Sequence, residues 1–274
     1  MINMTEAFFP PSENKKRREI CALMNDWKRE VSTAQVLYRY DGKYYAGSEY
    51  FCADGFYPYY FSQKKRVLFI ARETVELSGS DYIPVLLRAY HENNIGGKSV
   101  NAALLHARLM YLAYGILQDK KIPYDKLPQA SEIAARFGTH EGISFAYMDL
   151  SKYSNDNVDA GSHCDTPLML SFLRDSHLDK RNFVREEIEL LEPDVILTMN
   201  LWGCGLPADI LESALGRITE IDGQSYQPHA ALNALTVNGK QTPLIDLFHF
   251  ASRKSTETAF YEPVMQIMKR IKNI

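Results

Sequence analysis

Four short apolar runs punctuate the chain at wide intervals: RVLFIA (Arg66 to Ala71), ISFAYM (Ile143 to Met148), DVILTM (Asp194 to Met199) and PLIDLF (Pro243 to Phe248). Each is nearly continuous rather than alternating, the pattern of a strand buried on both faces. Between and around them, helical patterns cover Ser99 to Leu117, Leu178 to Leu191, the shorter Pro207 to Leu215, and Thr256 to Ile274. A further helix is predicted from Lys15 to about Val31, where Ile20, Leu23, Met24 and Trp27 recur at three-and-four spacing. Asn238-Gly239, after Ala234 to Val237, predicts a turn just before the last strand. Strands alternating with helices imply a parallel sheet covered on both faces. The expected architecture is a three-layer α/β/α domain with a central, mainly parallel four-stranded sheet. Neither an internal repeat nor a linker divides the chain, so residues 1–274 are read as one domain. Its α/β core spans 63–274, and 1–62 form an N-terminal helix and an aromatic-rich extension.

That extension, Val36 to Phe61, is dense in Tyr and Phe and broken by Gly42, Gly47, Gly55 and Pro58. Such rings seek burial, so it reads as a small hairpin and loop layer over the main fold. Composition adds limits rather than a function. The net charge of −3 over 274 residues predicts no global attraction to nucleic acid, although one basic face would suffice for binding. Cys21, Cys52, Cys164 and Cys204 include no C-x-x-C pair, which argues for free thiols and against a zinc or iron–sulfur site. No metal and no cofactor is expected. The first residues lack the apolar core of a signal peptide, and no run approaches the roughly 20 apolar residues of a membrane span. A cytoplasmic protein with no membrane partner is expected. Lys15, Lys16, Arg17 and Arg18 carry the wrong sign for a helix start. They read first as a solvated charge run and second as a phosphate-facing patch.

In an open parallel sheet, ligands bind beyond the carboxyl ends of the strands. After the first run come Arg72, Glu73 and Thr74, and after the second Asp149, Ser151, Lys152 and Tyr153. Asn200 and Trp202 follow the third, and His249, Ser252, Arg253 and Lys254 the fourth. Any one of these has a plain explanation, since strand ends meet solvent. Together they supply a carboxylate pair, a histidine and several cations, the makings of a site. Other histidines carry less. In SHCDTP (Ser162 to Pro167) the adjacent His163, Cys164 and Asp165 do not converge on one ion without a special turn. His177 reads as the neighbour of a helix cap supplied by Ser176 or Asp179.

The order and content of these strand ends resemble the uracil-DNA glycosylase superfamily, from about Lys64 to the C-terminus. VLFIARET resembles that family's first strand and its glycine-led loop with a catalytic acid, which puts Glu73 on the water-activating position. MDLSKYSN resembles the segment that carries the base-reading asparagine and a lysine, here Asp149 and Lys152. EIELLEPDVILTMN (Glu187 to Asn200) resembles the helix, proline and strand that follow, and LFHFASR puts His249 on the catalytic histidine. The chain departs from the pattern at Ala71 for glycine, Glu73 for aspartate, Asp149 for asparagine and Phe250 for proline. An ionised Asp149 repels O4 of uracil and suits an exocyclic amine, whereas a protonated one can donate.

The resemblance implies hydrolysis of an N-glycosidic bond in DNA carrying a damaged or deaminated base. In that reaction positive charge builds on the sugar and negative charge on the departing base. Glu73 would stabilise the cation and orient water, and a neutral His249 would donate to the leaving base. A base flipped from the stack needs an aromatic platform, for which Tyr57, Tyr59 and Tyr153 are the candidates. Lys152, Arg253 and Lys254 would hold phosphates, helped by the Ser252 hydroxyl. Each has a bland alternative: Glu73 paired with Arg72 or Arg253, His249 a satisfied strand-end histidine, the tyrosines core, the cations solvated surface. Two rival functions follow, a nucleic-acid or nucleotide binder without catalysis and a hydrolase of small nucleoside-like compounds.

Overall fold

The computed structural model describes residues 8–33, 38–40, 43–45, 47–118, 122–156, 164–203, 205–226 and 230–271. The four apolar runs become strands β4 (Val67–Val75), β5 (Ala146–Asn155), β8 (Val195–Met199) and β11 (Lys240–Leu247). They lie side by side in the order β5-β4-β8-β11, and all three pairings are parallel. The sheet is larger than the expected four strands. Three antiparallel strands extend it to seven: β3 (Gly55–Phe56) beside β5, and β10 (Ala230–Val237) then β9 (Ile218–Tyr226) beyond β11. These strands alternate or are too short for continuous apolar runs, which is why the run criterion passed over them. The turn at Asn238-Gly239 joins β10 to β11, both residues at positive φ.

Helices cover both faces. Tyr147 of β5 stacks on Tyr82 of α3 (Tyr82–His91) with ring centroids 5.0 Å apart, and Phe145 meets Phe137 at 4.5 Å just after α5 (Ala130–Ala134). α4 (Leu104–Leu117) packs on β4, on α5 and on the last helix, α9 (Glu262–Ile271), which a π turn at Glu257–Tyr261 precedes. On the opposite face Lys152 of β5 points at Trp27 of α1 (Asn14–Thr33) and at α7 (Phe183–Leu191). α1 also touches α6 (Thr166–Asp175), and α7 touches α8 (Ala208–Leu215). The molecule is therefore α/β with a mixed, mainly parallel central sheet.

The N-terminal quarter is part of this body rather than a layer over it. β1 (Tyr38–Tyr40) and β2 (Lys43–Tyr45) form a hairpin, and α2 (Gly47–Tyr50) follows. Trp27, Phe51, Phe56, Tyr57 and Tyr60 are wholly buried in one hydrophobic core that runs from Phe9 to Met268. The predicted helix Leu178 to Leu191 starts late, because β6 (His177–Leu178) and β7 (Arg181–Asn182) form a small hairpin first. Asn182, not Ser176 or Asp179, caps α7, accepting the Arg185 N–H at 3.1 Å. The basic run at Lys15–Arg18 is a paired surface in part: Lys16 bonds Glu192 at 2.5 Å, and Arg17 is buried. Among the described residues no helix is long and apolar enough to cross a membrane.

Candidate active site at the strand ends

β8 pairs with both of its neighbours, so three carboxyl ends come together. Ile70 lies opposite Thr198, and Leu247 opposite Met199. The residues just beyond are Arg72 and Glu73, Asn200, and His249.

His249 is half-buried after β11. Its Nδ1 accepts the N–H of Ala251 at 3.3 Å, and its carbonyl accepts the N–H of Ser252 at 2.9 Å. A ring nitrogen that accepts carries no proton, so the neutral imidazole holds its proton on Nε2 and presents it as a donor. Burial, followed by the positive charges of Arg72 and Arg108, pushes the imidazolium pKa down to about 4. At neutral pH His249 is therefore an uncharged donor.

The loop that carries it is held from below by a residue absent from the reading of the sequence. Arg108 of α4 is wholly buried. Its guanidinium donates to the carbonyls of Phe250 (2.5 Å), Ser252 (2.8 Å) and Lys254 (2.5 Å) and to the Thr256 hydroxyl (3.1 Å). It also stacks 4.1 Å from the Phe260 ring. One fork gives three loop carbonyls a charged donor, the buried Phe250 carbonyl among them. Its signal in the sequence was a lone arginine inside the apolar run LLHARLMYLAYGIL.

Glu73 lies in β4, which continues past Ala71 to Val75. Its Oε1 accepts the Asn155 amide and the Asp165 backbone N–H, both at 3.0 Å, while the buried Oε2 has no partner among the described residues. Burial raises its pKa, opposed by the bonds from Asn155, the Asp165 backbone and the Cys164 thiol. Neither Arg72 nor Arg253 forms an ion pair with it among the described residues. Ser162 and His163 lie outside those residues, and Asp165 caps α6 by accepting the Leu168 N–H at 3.0 Å.

The second strand end turns out otherwise. β5 runs on to Asn155, so Asp149, Ser151, Lys152 and Tyr153 are strand residues, all buried. Lys152 does not reach a phosphate. Its ammonium bonds Asp54 at 2.6 Å, Glu187 at 2.7 Å and the Asp149 carbonyl at 2.9 Å, and lies 5.1 Å from the Trp27 ring. Burial alone would discharge this lysine, but Asp54 and Glu187 outweigh it and raise its pKa. Three acids face one cation here, so protons stay on some of them. Burial and then the Asp54 charge push both Asp149 and Glu187 well above the usual carboxylate range. Asp149 accepts weakly from Tyr147 at 3.4 Å and is sealed from any ligand.

Nor are the expected stacking rings available. Tyr153 donates to the Val31 carbonyl at 3.2 Å with its ring against Phe172, and Tyr57 is enclosed by Tyr90, Phe137 and Phe145. Tyr59 lies near His140, at the amino end of β5. Thr74 is buried against Cys52. Ser252 keeps a buried hydroxyl with no partner among the described residues, while Arg253 and Lys254 are exposed, the latter 4.3 Å from the Phe248 ring. Asn200 is half-buried in a left-handed turn, φ 58°. Of the sequence-derived set, the fold gathers Arg72, Glu73, Asn200, His249, Ser252 and Arg253 at one edge and withdraws Thr74, Asp149, Lys152 and Tyr153 into the interior.

A groove of about 900 Å³ lies at the other end of the strands, where Lys64, Glu132, Arg136 and Ile143 line it. It contains none of the strand-end residues. Among the described residues, no three His, Cys, Asp or Glu side chains are grouped to hold a metal ion. No protein-family model, curated protein or solved structure matches the chain. The chemistry therefore rests on the geometry of this edge.

Proposed function

We propose that the chain is a uracil-DNA glycosylase-like hydrolase that cleaves the N-glycosidic bond of a damaged or deaminated base in DNA. The observation that carries the reading is the pairing of opposite chemistries on nearby strand ends. His249 offers a neutral Nε2–H donor, and Glu73 offers a carboxyl group that no cation pairs with among the described residues. As the bond lengthens, the Glu73 carboxylate stabilises the oxocarbenium-like sugar and takes a proton from the attacking water, which adds to the sugar carbon. The bonding pair leaves with the base, and His249 donates a hydrogen bond to the base oxygen on which that charge gathers. A neutral donor suits this task because its proton stabilises the anion without requiring an acidic medium. Arg72 and Arg253 supply the phosphate contacts.

Single-turnover excision tests this. Oligonucleotides carrying uracil, hypoxanthine, xanthine or oxidised bases are offered to the native protein, Glu73→Ala and His249→Ala. One base should be released, and each variant should slow release by on the order of a hundredfold or more. Release of no base from any strand, with small nucleosides cleaved instead, would replace DNA by a nucleoside as substrate. The rival of a catalytically silent binder predicted an Arg72–Glu73 or Glu73–Arg253 pair filling the cleft, and among the described residues neither forms.

A further inference from the structure

We infer that Trp202 is the aromatic platform of this edge and that it stacks on an unpaired base of a single DNA strand, an inference that rests on the reading of the site as DNA-directed. The tyrosines expected to do this are buried or at the far end of the strands, whereas Trp202 is 38% exposed. It stands in the short helical turn Leu201–Gly203, directly after β8. That strand lies between β4, which delivers Arg72 and Glu73, and β11, which delivers His249. Trp202 thus stands at the end of the middle strand, between the strands that deliver the two halves of the site.

The turn is built rather than loose. Asn200 takes the left-handed conformation, and Gly203 donates to its carbonyl at 3.2 Å. A Cβ at Gly203 would come within 2.4 Å of the Asn200 side chain, so the turn admits only glycine there without rearrangement. Underneath, Asp246 of β11 accepts the Thr198 hydroxyl at 2.6 Å and the Leu201 N–H at 3.3 Å, tying the turn to the strand that precedes His249. Exposing a large indole while fixing its backbone in this way is what a stacking platform needs. Every base has a π face, so stacking on the indole tolerates any sequence. Exposed Arg253 and Lys254, from the next strand end, are placed to follow the phosphates.

The two tryptophans make the test direct. Trp27 is wholly buried, with its Nε1 bonded to Ser176 at 2.8 Å, so it reports on the fold, and Trp202 reports on the surface. Titration of the full chain with a short single-stranded DNA oligonucleotide at low salt should quench the exposed tryptophan and shield it from acrylamide. Trp202→Ala should bind the strand about tenfold or more weakly with Trp27 emission unchanged, and Trp202→Phe should recover most of the loss. Binding that leaves Trp202 emission and acrylamide access untouched, with Trp202→Ala equal to native, overturns the platform while leaving the glycosylase reading standing. Tighter shielding by RNA of the same sequence overturns the choice of DNA. No binding of any strand at low salt overturns both.

Discussion

Two groups of charged residues occupy neighbouring strands of the same sheet and have opposite fates. On β5, Lys152 closes on Asp54 and Glu187 with no exposed surface at all. At the edge formed by β4, β8 and β11, Arg72, Glu73 and His249 are left only half-buried, and Glu73 keeps one carboxyl oxygen without a partner among the described residues. The difference lies in how far each strand runs. β5 continues seven residues beyond its apolar run, to Asn155 rather than stopping at Met148, and carries Lys152 into the space between the sheet and helices α1 and α7. β4 runs only four residues past Ala71, and it leaves Arg72 and Glu73 half-buried rather than closed between covering helices. The inner group holds the fold, and the edge is free to do chemistry.

The largest loss is expected at the inner group. Lys152→Met leaves three buried acids facing one another, and removing one partner of a buried ion pair typically costs about 3–5 kcal/mol. Urea unfolding should show that loss. A variant as stable as the native chain would mean the lysine contributes nothing to the fold. Next comes the support of the edge: Arg108→Met strands the carbonyls of Phe250, Ser252 and Lys254. It should cost about 2–4 kcal/mol, and, unlike Lys152→Met, it should also raise the pKa of His249 measured by NMR, because a neighbouring positive charge is removed.

A third prediction uses acid. Burial drives the pKa of His106, bonded to Tyr90 at 2.9 Å, down to about 4, the same value as His249. Each ring binds its proton more readily in the unfolded chain, near 6.5. Stability contributed by keeping them neutral is therefore complete above about pH 6.5 and is lost as pH falls toward 4. A displacement of this size corresponds to at most about 3 kcal/mol for the partly buried His106. Thermal unfolding of His106→Gln, compared with native from pH 7 to pH 4, should show a flatter loss. The smallest effect sharpens the contrast from the other side. Asp149 has a raised pKa, so holding its proton in the fold costs stability that grows as pH rises above about 4. Asp149→Asn should therefore gain on native between pH 4 and pH 8, by about 1 kcal/mol after the amide loses good partners. A gain that shrinks with rising pH would show the aspartate ionised.

Much of this frame is legible in the chain. The four apolar runs mark the four parallel strands, because full burial on both faces leaves no room for alternation. Arg72 and Glu73 follow the first apolar run, and His249 the last, closely enough to be read as edge residues. What stayed hidden depended on pairing at a distance. Asp54 and Lys152 are 98 residues apart, and nothing local in DGFYPYY or SKYSN announces their 2.6 Å contact. Two of the missed residues did leave a trace. Glu187 sits on the apolar stripe of α7 with Val184, Ile188 and Leu191, and Arg108 is a single charge in an apolar helix. A charge on a face that must be buried has a partner somewhere, and each of these does.

His249 meets its ligand as a neutral ring with the proton on Nε2. Nitrogen-15 NMR of histidine-labelled protein at pH 6, with His249→Gln to assign the signal, tests it most directly. The account predicts an unprotonated Nδ1 and a protonated Nε2 for His249, unchanged until the pH falls toward 4. A doubly protonated ring at pH 6, or a proton resting on Nδ1, would contradict it.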